Sequence, residues 1–218
     1  MEMLDTVIRK YRFSDRQTVR RISLETAMMG QPAAAFFDGN EVFADALTLY
    51  FTDHEPESCF VAQVDGKVVG CLTGARDTRC MDELSGRKIL WPLLWKAACS
   101  GIFLKGRNIR VLLRSLWLAL GGGFFLPDFY QDYPATLHIN VLDGYRASGV
   151  GGKLMEAYLS YLQGEKVRGV RMATMSEQAG HFFQTQGFSF LYRSTRPYFR
   201  EVLKRDVPFL IYGKKFLT

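Results

Sequence analysis

The part of the chain richest in chemistry is Leu137-His138-Ile139-Asn140-Val141-Leu142-Asp143-Gly144-Tyr145-Arg146-Ala147-Ser148-Gly149-Val150-Gly151-Gly152-Lys153-Leu154. A run of β-formers enters a turn, and a glycine-rich loop then opens a helix. Glycine lets a backbone approach a ligand closely. The first turn of a helix also leaves N–H groups unpaired at its positive dipole end. Together these make a cradle for an anion, most naturally phosphate. A Walker loop, G-x-x-x-x-G-K-[ST], could close on Gly152-Lys153, but Ala147 and Leu154 stand where its first glycine and its hydroxyl belong. A dinucleotide fingerprint, G-x-G-x-x-G, fails at Leu154, and an early parallel βαβ context is missing. What remains is Arg146-x-x-Gly149-x-Gly151 at the head of a helix, behind a strand ending in Val141. The plain alternative is a helix N-terminus with a tight turn. Gly149, Gly151 and Gly152 weigh against it, because each costs helix stability unless closeness is needed.

The surrounding elements form a mixed sheet. Thr6 to Phe13 reads as a strand, and the Ser14/Gln17 pair as a capping box for a helix reaching Gly30. A second helix covers Glu41 to Phe51. Asp65-Gly66 joins the β-rich runs Ser58–Val64 and Lys67–Ala75 into a hairpin. Later come strands at Thr136–Leu142, Gly169–Thr174, Phe188–Arg193 and Val207–Tyr212, with helices at Gly149–Leu162 and Glu177–Gln186. This order, with hairpins and one strand-helix-strand crossover, predicts an α/β fold around a mixed sheet. A segment from about 77 to 131 interrupts it between the third and fourth strands. It carries Trp91, Trp95 and Trp117, predicted helices at Ile89–Leu104 and Ile109–Leu120, and the run Gly121-Gly122-Gly123.

Composition bounds the rest. The 218 residues, 48% hydrophobic and 23% charged, suit one domain with a real core and exclude disorder, collagen and coiled coil. Of the formal net charge of +6, the 76–133 stretch supplies +4, from nine basic and five acidic residues. Cys59, Cys71, Cys80 and Cys99 contain no CxxC, and His54, His138 and His181 lie far apart. No metal site is expected, and the cysteine usage suits a reducing cytoplasm. The N-terminal Met1-Glu2-Met3-Leu4-Asp5 lacks the apolar core of a secretory signal. The insertion helices fall short of the roughly 20 residues that span a bilayer, so no transmembrane segment is expected. The basic excess is not contiguous enough to indicate a nucleic-acid partner.

Arg146-x-x-Gly149-x-Gly151 resembles the acetyl-CoA loop of the GNAT superfamily of N-acetyltransferases. Ser176-x-x-Ala179-x-x-Phe182-Phe183-x-x-x-Gly187-Phe188 is similar to that family's second motif, N-x-x-A-x-x-[LF]-Y-x-x-x-G-F. Outside residues 77–131 the element order matches the family fold over nearly the whole chain. The resemblance implies a single domain, residues 1–218, with a central sheet splayed between the strands Thr136–Leu142 and Gly169–Thr174. It implies pantetheine in that gap beside Asn140, Val141 and Leu142, with Arg146, Ala147, Ser148, Gly149, Val150, Gly151 and Gly152 around the pyrophosphate and Ser176 opening the second motif. A strand N–H at Val141 or Leu142 would polarise the thioester carbonyl. The implied activity is acetyl transfer from acetyl-CoA, as co-substrate, to the primary amine of a small molecule or peptide, by direct attack.

Three departures from the family pattern stand out. Ser176 replaces the usual Asn, Asp143 a common proline, and Phe183 the tyrosine that often protonates the departing thiolate. Tyr192 and His181 are candidate substitutes for that acid. His138 is a candidate base, since its ordinary pKa near 6.5 suits the task, and alternation puts it on the same face as Asn140. It stands one residue from the family position, which is Leu137 here, and a hydrogen-bonded structural histidine is the favoured reading. Asp132 and Glu177 are further carboxylate candidates. The alternative function is a catalytically silent CoA-binding or interaction module. The insertion tryptophans could wall the acceptor side, and the insertion could serve a homodimer.

Overall fold

Asp65 and Gly66 both take positive φ, 51° and 73°, and so form the two-residue turn that matches the twist of a hairpin. They join β2 (Phe60–Val64) to β3 (Lys67–Ala75). The computed structural model describes residues 5–27, 32, 40–102, 127–196 and 206–216. With β1 (Thr6–Lys10), β4 (Ala135–Val141), β5 (Gly169–Thr174), β6 (Ser189–Arg196) and β7 (Val207–Lys215), these strands form one seven-stranded sheet in the order β1-β2-β3-β4-β5-β7-β6. Every neighbouring pair is antiparallel except β4–β5, which is parallel. This is the mixed sheet that the element order predicts.

Side-chain alternation sends the two faces of the sheet to different cores. On one face α5 (Val150–Gly164) and α6 (Glu177–Thr185) bury Leu72, Leu137, Leu154, Tyr158, Val170 and Phe183. On the other, α1 (Arg16–Thr26) and α2 (Asn40–Asp53) cover Val19, Ile22, Phe51, Val61, Cys71 and Ala75. Arg20, buried on α1, clamps the two helices through Asp45 and through Glu41 Oε2 at 2.7 Å. The predicted Ser14/Gln17 capping box does not form. A 3-10 turn, Phe13–Asp15, leads into α1, and Asp15 turns back to accept from Arg9 at 2.7 and 2.8 Å and from the Arg12 amide at 2.9 Å.

Between β3 and β4 the described residues hold α3 (Thr78–Leu84), a π-helical turn at Ser85–Ile89 and α4 (Leu90–Cys99). The sequence predicts one helix from Ile89 and overlooks α3, which Asp77 caps by accepting from the amides of Arg79 and Cys80. The predicted helix at Ile109–Leu120, with Trp117, and the run Gly121–Gly123 lie outside the described residues. The segment leaves and returns at one place. Tyr130 Oη donates to Asp77 at 2.6 Å, Arg79 pairs with Asp128 at 3.1 Å, and the Arg79 guanidinium lies 3.9 Å from the Tyr130 ring centre. Lys96 fastens α4 to Asp45 of α2 at 2.6 Å. Trp91 and Trp95 are 69% and 74% exposed on α4, whose buried residue, Ala97, lies on its other side. Among the described residues no helix is long and apolar enough to cross a membrane.

One contact fixes the middle of the sheet. Tyr158 of α5 reaches through the space above Gly74, and its hydroxyl donates to the Thr136 carbonyl at 2.7 Å. A Cβ at Gly74 would stand 2.3 Å from that hydroxyl oxygen. We therefore expect Gly74→Ala to overpack this site and lower stability by about 1–3 kcal/mol. Urea unfolding should show a lower midpoint with an unchanged slope.

Candidate active site

The parallel pair β4–β5 is joined at only two positions, Ala135↔Val170 and Thr136↔Arg171. Both strands continue, β4 to Val141 and β5 to Thr174, but they continue apart. On its other edge β4 keeps full register with β3, from Ala75↔Thr136 to Gly70↔Val141. Leu142 extends that ladder, its amide donating to Val69 O at 3.0 Å. Ladder alternation then turns the main-chain groups of Ile139 and Val141 toward the gap. The sequence leaves Val141 and Leu142 equivalent as donors to a thioester carbonyl. In the structure Leu142 is spent on Val69, so Val141 N–H is the donor facing the cleft, while Val141 O accepts from Arg146 Nε at 3.1 Å.

The loop after β4 is strapped together by its own side chains. Arg146 Nη1 holds Asp143 at 2.9 Å, and Ser148 Oγ donates to Tyr145 O at 2.6 Å. Ala147 and Gly149 both adopt positive φ, 58° and 86°, so the chain curls into a concave run of amides. Helix α5 begins with Lys153 N–H bonding Gly149 O at 3.1 Å. The amides of Ala147, Ser148, Gly149, Val150, Gly151 and Gly152 donate to no acceptor among the described residues. Glycine is required at position 149 by its φ, and a Cβ there would meet nothing within 4 Å, so the cradle is open. At Gly151 a Cβ would meet the Phe182 ring at 3.4 Å and Ile139 at 3.8 Å, where β4, α5 and α6 converge. From this loop a groove of about 560 Å³ runs along α5, past Lys153, Ser160, Gln163, Gln186 and Lys214. The residues fit a diphosphate on the loop and a thiol arm in the gap; the groove beyond carries Lys153, Glu156 and Lys214, whose Nζ donates to Gln186 O at 2.7 Å.

His138 projects on the α1/α2 face, its ring edge-on to Phe51 with centroids 5.6 Å apart. Its side chain is exposed on this face, while the density of protein around it disfavours the charged form and lowers its pKa. The imidazole is therefore neutral near pH 7 and able to accept a proton. Asn140 lies on the same face, as alternation predicts, but its Oδ1 accepts from Thr26 of α1 at 2.9 Å. Ser176 is engaged as the N-cap of α6, accepting from the Ala179 amide at 3.3 Å. Phe183 is buried in the core against Phe188 and Tyr212.

The other candidates are not gathered at the cleft. Tyr192 sits on β6 opposite Ile211 of β7, two strands beyond β5, or about 10 Å by strand spacing. His181 is exposed on α6, Glu177 pairs with Arg193 at 3.0 Å, and Asp132 pairs with Lys215 at 3.0 Å. Thr26, Phe51 and Arg171 share the face of the sheet that carries His138 but are not candidates in the sequence, since nothing near them in the chain marks their approach to β4. Lys153 and Lys214 escape for the same reason, being 61 residues apart in the chain yet on one groove.

No protein-family model matches the sequence, and no curated protein matches it by sequence. Solved structures share its architecture. SsHAT superimposes with a TM-score of 0.69 at 22% identity, over 98% of this chain and 99% of that one. The polyamine N-acetyltransferase of Drosophila melanogaster, which forms N-acetylagmatine, gives 0.65 at 16%, over 97% of this chain and all of its own. The acetyltransferase yncA of Salmonella typhimurium, solved with its cofactor acetyl-CoA, gives 0.54 at 10%, over 96% and 93%. The fold is that of the GNAT N-acetyltransferases.

The lowered His138 pKa carries a sign that can be measured. The unfolded imidazole takes its proton near 6.5, the folded one only at lower pH. Unfolding therefore binds a proton in that window, and stability should fall as pH drops below about 6.5. NMR titration should place the His138 inflection below the ordinary imidazole value near 6.5, and His138→Gln should remove its share of the acid destabilisation.

Proposed function

We propose that the chain is an acetyl-CoA-dependent N-acetyltransferase that moves the acetyl group to a primary amine by direct attack. The observation that carries this is the parting of β4 from β5 beside the open amide cradle at Ala147–Gly152. Acetyl-CoA supplies an activated thioester, and the chain's task is to hold and polarise it. The cradle amides and the positive end of α5 hold the diphosphate. Val141 N–H meets the oxygen on which charge develops, a contact worth about 3 kcal/mol in the transition state.

The acceptor arrives as an ammonium of pKa near 10 and must lose a proton before or during attack. His138, held neutral by its surroundings, takes that proton directly or through one water. The amine nitrogen bonds to the thioester carbon, the C–S bond breaks, and the sulfur keeps the electron pair. Phe183 has no proton to give, so the sulfur leaves as the thiolate; the attacking nitrogen sheds its second proton to water as the amide forms, and water protonates the thiolate. The cytoplasm suits such an enzyme, whose four cysteines are all free.

The buried Phe183 also favours a second reading, a CoA-binding module without turnover. A melting experiment and an amine panel separate the two. Acetyl-CoA at 100 times its dissociation constant should stabilise by about 2.7 kcal/mol, a shift of about 5–11 °C at this size. Gly149→Glu should abolish the shift in a folded protein by placing bulk and negative charge in the cradle. No shift with the native chain at millimolar acetyl-CoA overturns both readings, whereas a shift with no acetylation of any amine leaves the module. In the active enzyme His138→Gln should cut kcat by about 100-fold or more while the acetyl-CoA shift stays.

A further inference from the structure

Helix α4 is held to the domain by one side and shows the other to solvent. Ile89 at its head is buried with Phe51, Cys71 and Ala75, Ala97 is buried two turns later, and Lys96 binds Asp45 of α2. On the opposite side Leu90, Trp91, Leu94 and Trp95 are 47%, 69%, 40% and 74% exposed. With the exposed Ala98 they fall within an arc of about 140° on the helix. Of the seven large apolar side chains exposed among the described residues, four therefore lie on this one helix of ten residues. A contiguous apolar stripe marks an interaction surface, whereas scattered exposure does not.

The charge around the stripe says what it meets. From Leu84 to Pro127 the chain carries seven lysines and arginines and no aspartate or glutamate, although acidic residues number 22 of the 218 overall. The same stretch holds all three tryptophans. Arg87 and Lys88 are exposed just ahead of the stripe. Arg87 reaches Glu83 at 2.9 Å, an exposed pair of little strength that leaves the cation available. Leucine and tryptophan on one side of a helix, with lysine and arginine about them, suit the boundary between headgroups and acyl chains. Indole fits that depth because its body is apolar and its N–H polar. A second copy of this chain would set the same positive charge against itself, and a nucleic acid would leave Leu90 and Leu94 unused. An anionic bilayer satisfies both the charge and the apolar stripe.

We propose that this face of α4 docks on an anionic membrane surface, with the helix lying in the plane of the headgroups. The protein is then peripheral to a membrane without crossing it, since α4 is far shorter than a span. The proposal goes beyond acetyl transfer and does not depend on it.

The test is flotation with vesicles of phosphatidylcholine alone and of phosphatidylcholine mixed equally with phosphatidylserine. The native protein should bind the mixed vesicles at least about 10-fold more tightly, and added salt should weaken that binding. Trp91→Ser with Trp95→Ser should lower it about 10-fold or more while leaving the melting temperature and the acetyl-CoA shift unchanged. Arg87→Glu with Lys88→Glu should reduce the preference for phosphatidylserine. In a Trp117→Phe protein the indole emission comes from Trp91 and Trp95 alone. That emission should move to shorter wavelength on the mixed vesicles and be quenched by brominated lipid. No binding to the mixed vesicles, unchanged binding in the tryptophan variant, or duplex DNA bound as tightly as the vesicles overturns the proposal. So does a dimer that the tryptophan substitutions dissolve. Emission already at short wavelength without vesicles also overturns it, because the face would then be covered by the protein itself.

Discussion

Beyond Thr136 the strand β4 has one neighbour instead of two, and the candidate site depends on that condition. A strand inside a sheet ordinarily pairs both edges, since main-chain groups left without partners are costly. Here β3 satisfies one edge as far as Leu142, and the other edge faces a cleft. The opening is held from several sides. The Tyr158 hydroxyl is fixed on Thr136 O where pairing ends, the first turn of α5 meets Ile139 and Phe182 near Gly151, and Arg146 draws the end of β4 back onto its own loop. The helix that fills the core on one face therefore also presents its amides at the mouth of the cleft.

The charges around the cleft follow the same division. Cradle and helix terminus make the loop side favourable to anions, with Lys153, Glu156 and Lys214 in the groove beyond, while the opposite face carries the His138 imidazole and Arg171, whose buried Nε has no partner. Elsewhere among the described residues the buried ions Glu55 and Arg20 are engaged. Glu55 accepts from Tyr50, Ser58 and the Arg76 amide and guanidinium, tying the end of α2 to the end of β3. Arg20 is likewise shared between Asp45 and Glu41. Against that background the open valence of Arg171 stands out as a local exception.

Much of this was legible before any coordinates, where a local pattern determines the outcome. Asp65-Gly66 specifies its turn, and glycine at 149 is what a left-handed residue ahead of a helix requires. The β4–loop–α5 sequence brings the cradle and the splayed strand together. What the sequence leaves open concerns partners brought by the fold. Whether Val141 or Leu142 faces the cleft depends on which of them β3 occupies. Ser176 can cap a helix or bind a ligand with the same oxygen, and the helix claims it. Tyr192 is close in sequence to the second motif, but β7 inserts between its strand and β5. The π turn that separates α3 from α4 has no marker in the sequence, so a single helix was the natural expectation.

The clasp at the root of the insertion has a mechanical consequence. Asp77 with Tyr130, and Arg79 with Asp128, join the outgoing and returning chain before either reaches the sheet. A load applied farther out is shared by that clasp, by the α2–α4 tie at Lys96 and by Ile89, which is buried with Phe51, Cys71 and Ala75 on the α1/α2 face of the sheet. The appendage is thereby wedged into the core beneath His138, and a change of volume at Ile89 is felt there.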